Sequence, residues 1–147
     1  MQKQNVIEQI REFNRFYTVL QGFLSKNYLE TGYSATETRV LFEIYRNESI
    51  SAYELTNILM LDKGYLSRLI RGFEQKGLLE RHISQEDGRM RVIALTEKGS
   101  EETKRLIQVT NHKIEEMIDS LSESQQGIIC DSMKTIMDIF ERRDLNE

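Results

Sequence analysis

Hydrophobic spacing changes character part-way along this chain of 147 residues, and the change limits the folds open to it. Before residue 78 the apolar side chains recur every three or four positions, the spacing of a helix. From Leu78 to Leu95 they alternate or gather in β-branched runs, the spacing of strands. After Thr96 the helical period returns. The pattern predicts helices, then a hairpin, then helices again. The chain contains no proline, where ordinary usage is about 5%, so no helix is forced to kink or stop.

Start and stop signals divide the helical stretches. Val6, Ile10, Phe13, Tyr17, Leu20 and Leu24 form the first apolar stripe, widened by Ile7, Phe16 and Phe23. The run NYLETGYS breaks that period, with Gly32 supplying a turn. Ser34 with Glu37, and Ser51 with Glu54, have capping-box spacing, and Asp62 can cap a third short helix that stops at Gly77. Three short capped helices with tight connections predict a tri-helical unit. Asp87-Gly88 is a hairpin-turn signal between the two strand-like runs. Thr96 can cap a long helix with Leu106, Ile107, Ile114, Met117, Ile118 and Leu121 on its apolar side. Ser122 with Gln125 is a further capping box, opening a helix that carries Ile129, Met133, Ile136, Met137 and Phe140. The expected fold is mostly α with a small β-hairpin wing (α+β): a winged helix-turn-helix between N- and C-terminal helices.

Composition closes off other classes. No run of about 18 apolar residues is present, so no membrane span is expected, and the polar, periodic N-terminus lacks a signal-peptide core. One cysteine cannot form an internal disulfide, and two distant histidines make no zinc cluster, so neither metal nor cofactor is expected. These features predict an intracellular, cytoplasmic protein. No glycine-rich phosphate loop follows a strand, no nucleophile sits in a known motif and no carboxylate pair is well placed, so an enzyme is not expected.

The net charge of −4 opposes nucleic acid at first sight. Residues 61–92, however, hold seven basic and five acidic side chains, a net +2, which leaves −6 for the remainder. On a helical wheel of the third short helix, Leu66, Leu69, Ile70 and Phe73 share one side. Gly64, Ser67, Arg68, Arg71 and Gln75 take the other, with Lys63 and Tyr65 on the flanks. Arginine can bind guanine bidentately, glutamine can read adenine, and glycine lets the backbone approach closely. The same pattern also describes an ordinary solvated helix face. Arg89, just after the Asp-Gly turn, belongs at a wing tip, where an arginine suits the negative potential of a minor groove. Asp87 is placed to orient its guanidinium.

The stretch LDKGYLSRLIRGFEQKGLLERHISQEDGRMRVIALTEKG, residues 61–99, resembles the MarR family of bacterial and archaeal transcriptional regulators. The resemblance rests on EQKGLLER at residues 74–81, the wing signature Asp87-Gly88-Arg89 and the LTEKG that follows. It covers roughly residues 35–99 well, and the flanking helices agree in position and character. The wording LDKGYLSR also resembles the regulator half of proteins that fuse a MarR-like domain to a GNAT-type acetyltransferase; this chain is expected to end before such an enzyme.

The resemblance implies one MarR-like domain over residues 1–147, with a winged helix-turn-helix at 34–96 and dimerisation helices at 1–33 and 97–147. It implies a homodimer on a palindromic double-stranded operator, most often as a repressor, with the third helix in the major groove and the wing in the minor groove. By the same resemblance Lys63, Gly64, Tyr65, Ser67, Arg68, Arg71, Arg89 and Arg91 contact DNA, and Asp87 supports the wing. Family members often release DNA on binding a small aromatic effector. Phe13, Phe16, Tyr17 and Tyr45 could line such a crevice, but read more readily as core and dimer-interface residues. Cys130, among Ile129, Met133 and Met137, reads as a buried structural thiol. The alternative function is a winged-helix protein-interaction module, or the regulatory partner of a separate enzyme.

Overall fold

The computed structural model describes residues 2–144, as two compact units divided between Thr110 and Asn111. The first unit contains α1 (Lys3–Leu20), a 3-10 turn (Tyr28–Glu30), α2 (Ala35–Asn47), β1 (Ser49–Ile50), α3 (Ala52–Leu59), α4 (Lys63–Gln75), β2 (Leu79–Ile83) and β3 (Arg91–Leu95). Helix α5 (Glu97–Ile118) begins in this unit, and the second unit holds its end together with α6 (Glu123–Asp144). The mostly helical fold with a small antiparallel sheet matches the architecture expected from the sequence.

Local chemistry sets the helix boundaries. Ser34 and Glu37 close a reciprocal capping box on α2, the Oγ accepting from the Glu37 amide and the carboxylate from the Ser34 amide. The same reciprocal pair forms between Ser122 and Gln125 ahead of α6. At α3 only half of the box is made: Ser51 Oγ accepts from the Glu54 amide at 3.1 Å. Helix α3 then ends on Met60 in the left-handed region (φ 52°), and Asp62 caps α4 by accepting from the Tyr65 amide at 3.0 Å. Gly77 (φ 73°) ends α4 in a Schellman motif. Its amide bonds Glu74 C=O, and the Leu78 amide reaches Phe73 C=O.

The core of the first unit lies where α2, α3 and α4 face the sheet. Val40, Leu41 and Ile44 from α2, Leu55 from α3, Leu66, Ile70 and Phe73 from α4, Ile50, Leu78, Leu79 and Ile93 from around the sheet, and Leu106 from α5 are buried together. A sheet of three strands replaces the expected two-stranded hairpin. The order is β1-β3-β2, all antiparallel, with Ile50 opposite Ile93 and Leu79 opposite Leu95. Burial along β2 stops at Leu79; Arg81 and Ile83, on the same side of the pleat, are exposed because the hairpin leaves the core as a projecting wing.

Two helices carry apolar faces that this chain leaves open. None of α1's residues is buried, with Phe16 61% and Val19 62% exposed. On α6, Ile128, Met133, Ile136, Met137 and Ile139 are exposed. Cys130 shares that exposure, correcting the expectation of a buried thiol. Its apolar neighbours lie on the same helix, and a helix cannot cover its own face. No helix among the described residues is long and apolar enough to cross a membrane.

Candidate nucleic-acid interface

The outer face of α4 is built by the packing of its inner one. With Leu66, Ile70 and Phe73 in the core, Lys63, Gly64, Ser67, Arg68, Arg71 and Gln75 are turned to solvent and Tyr65 is half-buried at the flank. The Asp62 cap keeps the N-terminal turn of α4 wound. Over Tyr65 lies the Arg68 guanidinium, 5.9 Å from the ring centroid.

The wing is a seven-residue connection, residues 84–90, ordered by its own backbone. The Ser84 amide bonds Met90 C=O at 2.8 Å, and the Met90 amide bonds Asp87 C=O at 3.0 Å. Ser84 Oγ accepts from the amides of Glu86 and Asp87. Asp87 does brace Arg89, but through the backbone: its Oδ1 accepts from the Arg89 amide at 3.0 Å, where the sequence suggested the guanidinium. The carboxylate thus fixes the turn and leaves the arginine side chain uncommitted. Arg89 and Arg91 are both exposed.

Cations in this region divide into two kinds. Arg81 on β2 pairs with Glu74 on α4, tying the root of the wing to the helix. Lys76 lies over the Tyr33 ring at 5.3 Å. Among the described residues no ion pair engages Lys63, Arg68, Arg71, Arg89 or Arg91, so all five keep their full charge toward solvent. These residues lie on the two elements that a winged helix presents to a duplex.

Sequence reasoning missed the anchor beneath the wing. The Thr96 amide bonds Leu78 C=O at 3.0 Å, and Thr96 Oγ1 donates to Gly77 C=O at 2.6 Å. The same Oγ1 accepts from the Gly99 amide at 3.0 Å, capping α5. Lys98 Nζ donates to Lys76 C=O at 2.9 Å. A Cβ on Gly99 would collide with the Leu78 carbonyl, so α5 docks here only through glycine. The LTEKG motif carried the signal; its physical meaning is visible only when residues 76–78 lie beside it.

The four aromatic candidates do not converge on one cavity. Phe13 and Tyr17 stack on each other along α1 at 5.3 Å between centroids. Phe16 lines a shallow depression of about 400 Å³ with Glu12, Arg15, Val19 and Leu20. Tyr45 borders a different one, of about 500 Å³, with Ile44, Arg46, Glu48, Leu95 and Ser100. His82 contacts Glu80, and His112 faces Glu115 and Glu116. No group of three or more His, Cys, Asp or Glu among the described residues could hold a metal ion.

Comparison with known proteins matches the central part of this geometry to a family. Residues 33–90 match the MarR family profile. The HTH-type transcriptional regulator MhqR of Bacillus subtilis is 26% identical over 123 residues, 84% of this chain and 85% of that protein. A second regulator of the same organism, YdgJ, is 25% identical over 101 residues; that match takes in 69% of this chain and spans only 62% of YdgJ. Among solved structures, Streptococcus pneumoniae FabT in complex with DNA superposes with a TM-score of 0.72 at 19% identity, covering 96% of this chain and 99% of that one. Residues 33–90 thus match the MarR family, the relatives extend that likeness over most of the chain, and the fold as a whole is shared with FabT.

Proposed function

We propose that the protein is a cytoplasmic, homodimeric regulator that binds a palindromic operator and acts as a repressor released by a small aromatic effector. The observation that carries this reading is the set of five unpaired cations, Lys63, Arg68 and Arg71 on α4 with Arg89 and Arg91 on the wing. In this reading α4 enters the major groove, Arg89 enters the adjacent minor groove, and Gly64, Tyr65 and Ser67 complete the contact surface. The DNA bound in the FabT structure supports it by likeness of fold. In this reading one MarR-like domain spans the chain, with residues 34–96 as the reading head and 1–33 and 97–147 as the dimerisation segments, of which residues 1 and 145–147 lie outside the described residues. Exposed apolar side chains on α1 and α6 support the dimer, since contiguous apolar faces of this kind mark association surfaces.

Selection of genomic fragments by the purified protein, repeated with candidate phenolic and aromatic ligands, tests the whole reading. A palindromic site should be enriched, its affinity should fall steeply with added salt through counterion release, and an effector should reverse the enrichment. Failure to enrich any fragment sinks DNA binding; a flat salt response would favour a protein partner instead. Enrichment that no ligand reverses removes the effector alone.

A further inference from the structure

Among the unpaired cations, Arg68 differs from its neighbours in having a built support. Its guanidinium lies over the Tyr65 ring. The Tyr65 amide is fixed by the Asp62 carboxylate, and its ring is half-buried, so the platform is held from both ends. Gly64 leaves open the space between them: a Cβ there would sit 3.2 Å from Asp62 Oδ2 and 3.6 Å from Arg68 Nη1. The guanidinium is therefore drawn back toward the first turn of α4, the end of a reading helix that meets base edges. Arg71, nearly one turn further along, has no aromatic platform among the described residues.

We propose that Tyr65 is a positioning residue for Arg68, holding its guanidinium ready to read one guanine in each half-site. The inference rests on the DNA-binding reading above. A cation–π attraction of this kind restrains where the guanidinium sits without using its N–H donors, and those donors are what meet guanine O6 and N7. A flexible arginine is ordered only on binding; one already supported by a ring loses less freedom, so the ring contributes to discrimination without touching the base.

The test measures binding of the intact protein to its selected operator and to a set in which each base pair is changed in turn. Arg68→Ala should abolish the preference at one G·C pair per half-site, a loss of tenfold or more, and leave other positions as they were. Tyr65→Leu should weaken the same preference by roughly threefold, and Tyr65→Phe, which keeps the ring, should restore it. Thermal melting of each variant separates these effects from misfolding. The proposal fails if Arg68→Ala weakens every sequence equally, the mark of a phosphate contact. It fails also if Tyr65→Leu alters preference at a different base pair, or if Tyr65→Phe behaves like Tyr65→Leu. If the unaltered protein binds no DNA, the underlying reading falls first, and that outcome is distinct from all of these.

Discussion

Single side chains divide here between those that hold the fold and those left free. Arg81 and Arg89 lie eight positions apart on one hairpin, yet of the two guanidinium groups only that of Arg81 has a carboxylate partner. Arg89→Ala should therefore weaken operator binding by about 1–3 kcal/mol with little change in melting temperature; unchanged affinity would take the wing out of the mechanism. Gly99 is the opposite case. Adding a methyl group drives it into the Leu78 carbonyl, which is backbone and cannot swing aside. Gly99→Ala should cost about 1–3 kcal/mol of stability by overpacking, read from urea denaturation. A variant as stable as the parent would mean that α5 can shift without penalty.

At the scale of elements, the connection between α1 and α2 is clasped by α5. Arg105 Nη2 donates to Thr31 C=O at 2.9 Å while its guanidinium pairs with Glu102. The hydrogen bond from Arg105 holds the Glu102 carboxyl below its ordinary range, whereas burial, with Glu102 adding to it, raises the Tyr33 hydroxyl. A depressed carboxyl pKa stabilises the fold fully above its unfolded value near 4.5 and loses that contribution as pH falls through the folded value. The raised Tyr33 value works in the other direction: its contribution is present below about pH 10 and fades above it. The stability gap between the parent and Glu102→Gln should thus narrow from pH 6 to pH 3. A gap that stays constant would show that the clasp does not depend on charge. Capping boxes and the wing were legible in the sequence because their chemistry spans three or four residues. Strand β1 was not, because two residues carry no period, and Ile50 owes its burial to Ile93, forty-three positions away. The Cys130 expectation failed for a related reason: apolar spacing identifies a face without saying whether this chain covers it. Candidate contacts on α4 were readable from a wheel, but which cations are already paired required three dimensions.

For the molecule as a whole, assembly is the property on which the proposed function turns. The open faces of α1 and α6 predict a dimer at micromolar concentration in sedimentation velocity, and replacing Phe16 and Val19 together by Ser should shift the population toward monomer and lower operator affinity. A stable monomer of the parent protein would end the two-half-site scheme. The anchor at Thr96 has a longer consequence. The chain departs at residues 76–78 and returns to the same place at 96–99, so everything between is a tab closed at its base. Loop entropy grows slowly with length. The reach of such a tab can therefore be lengthened, shortened or recharged over evolutionary time while α4 and α5 stay in register, so that on the proposed reading the wing contact can be retuned without moving the reading helix.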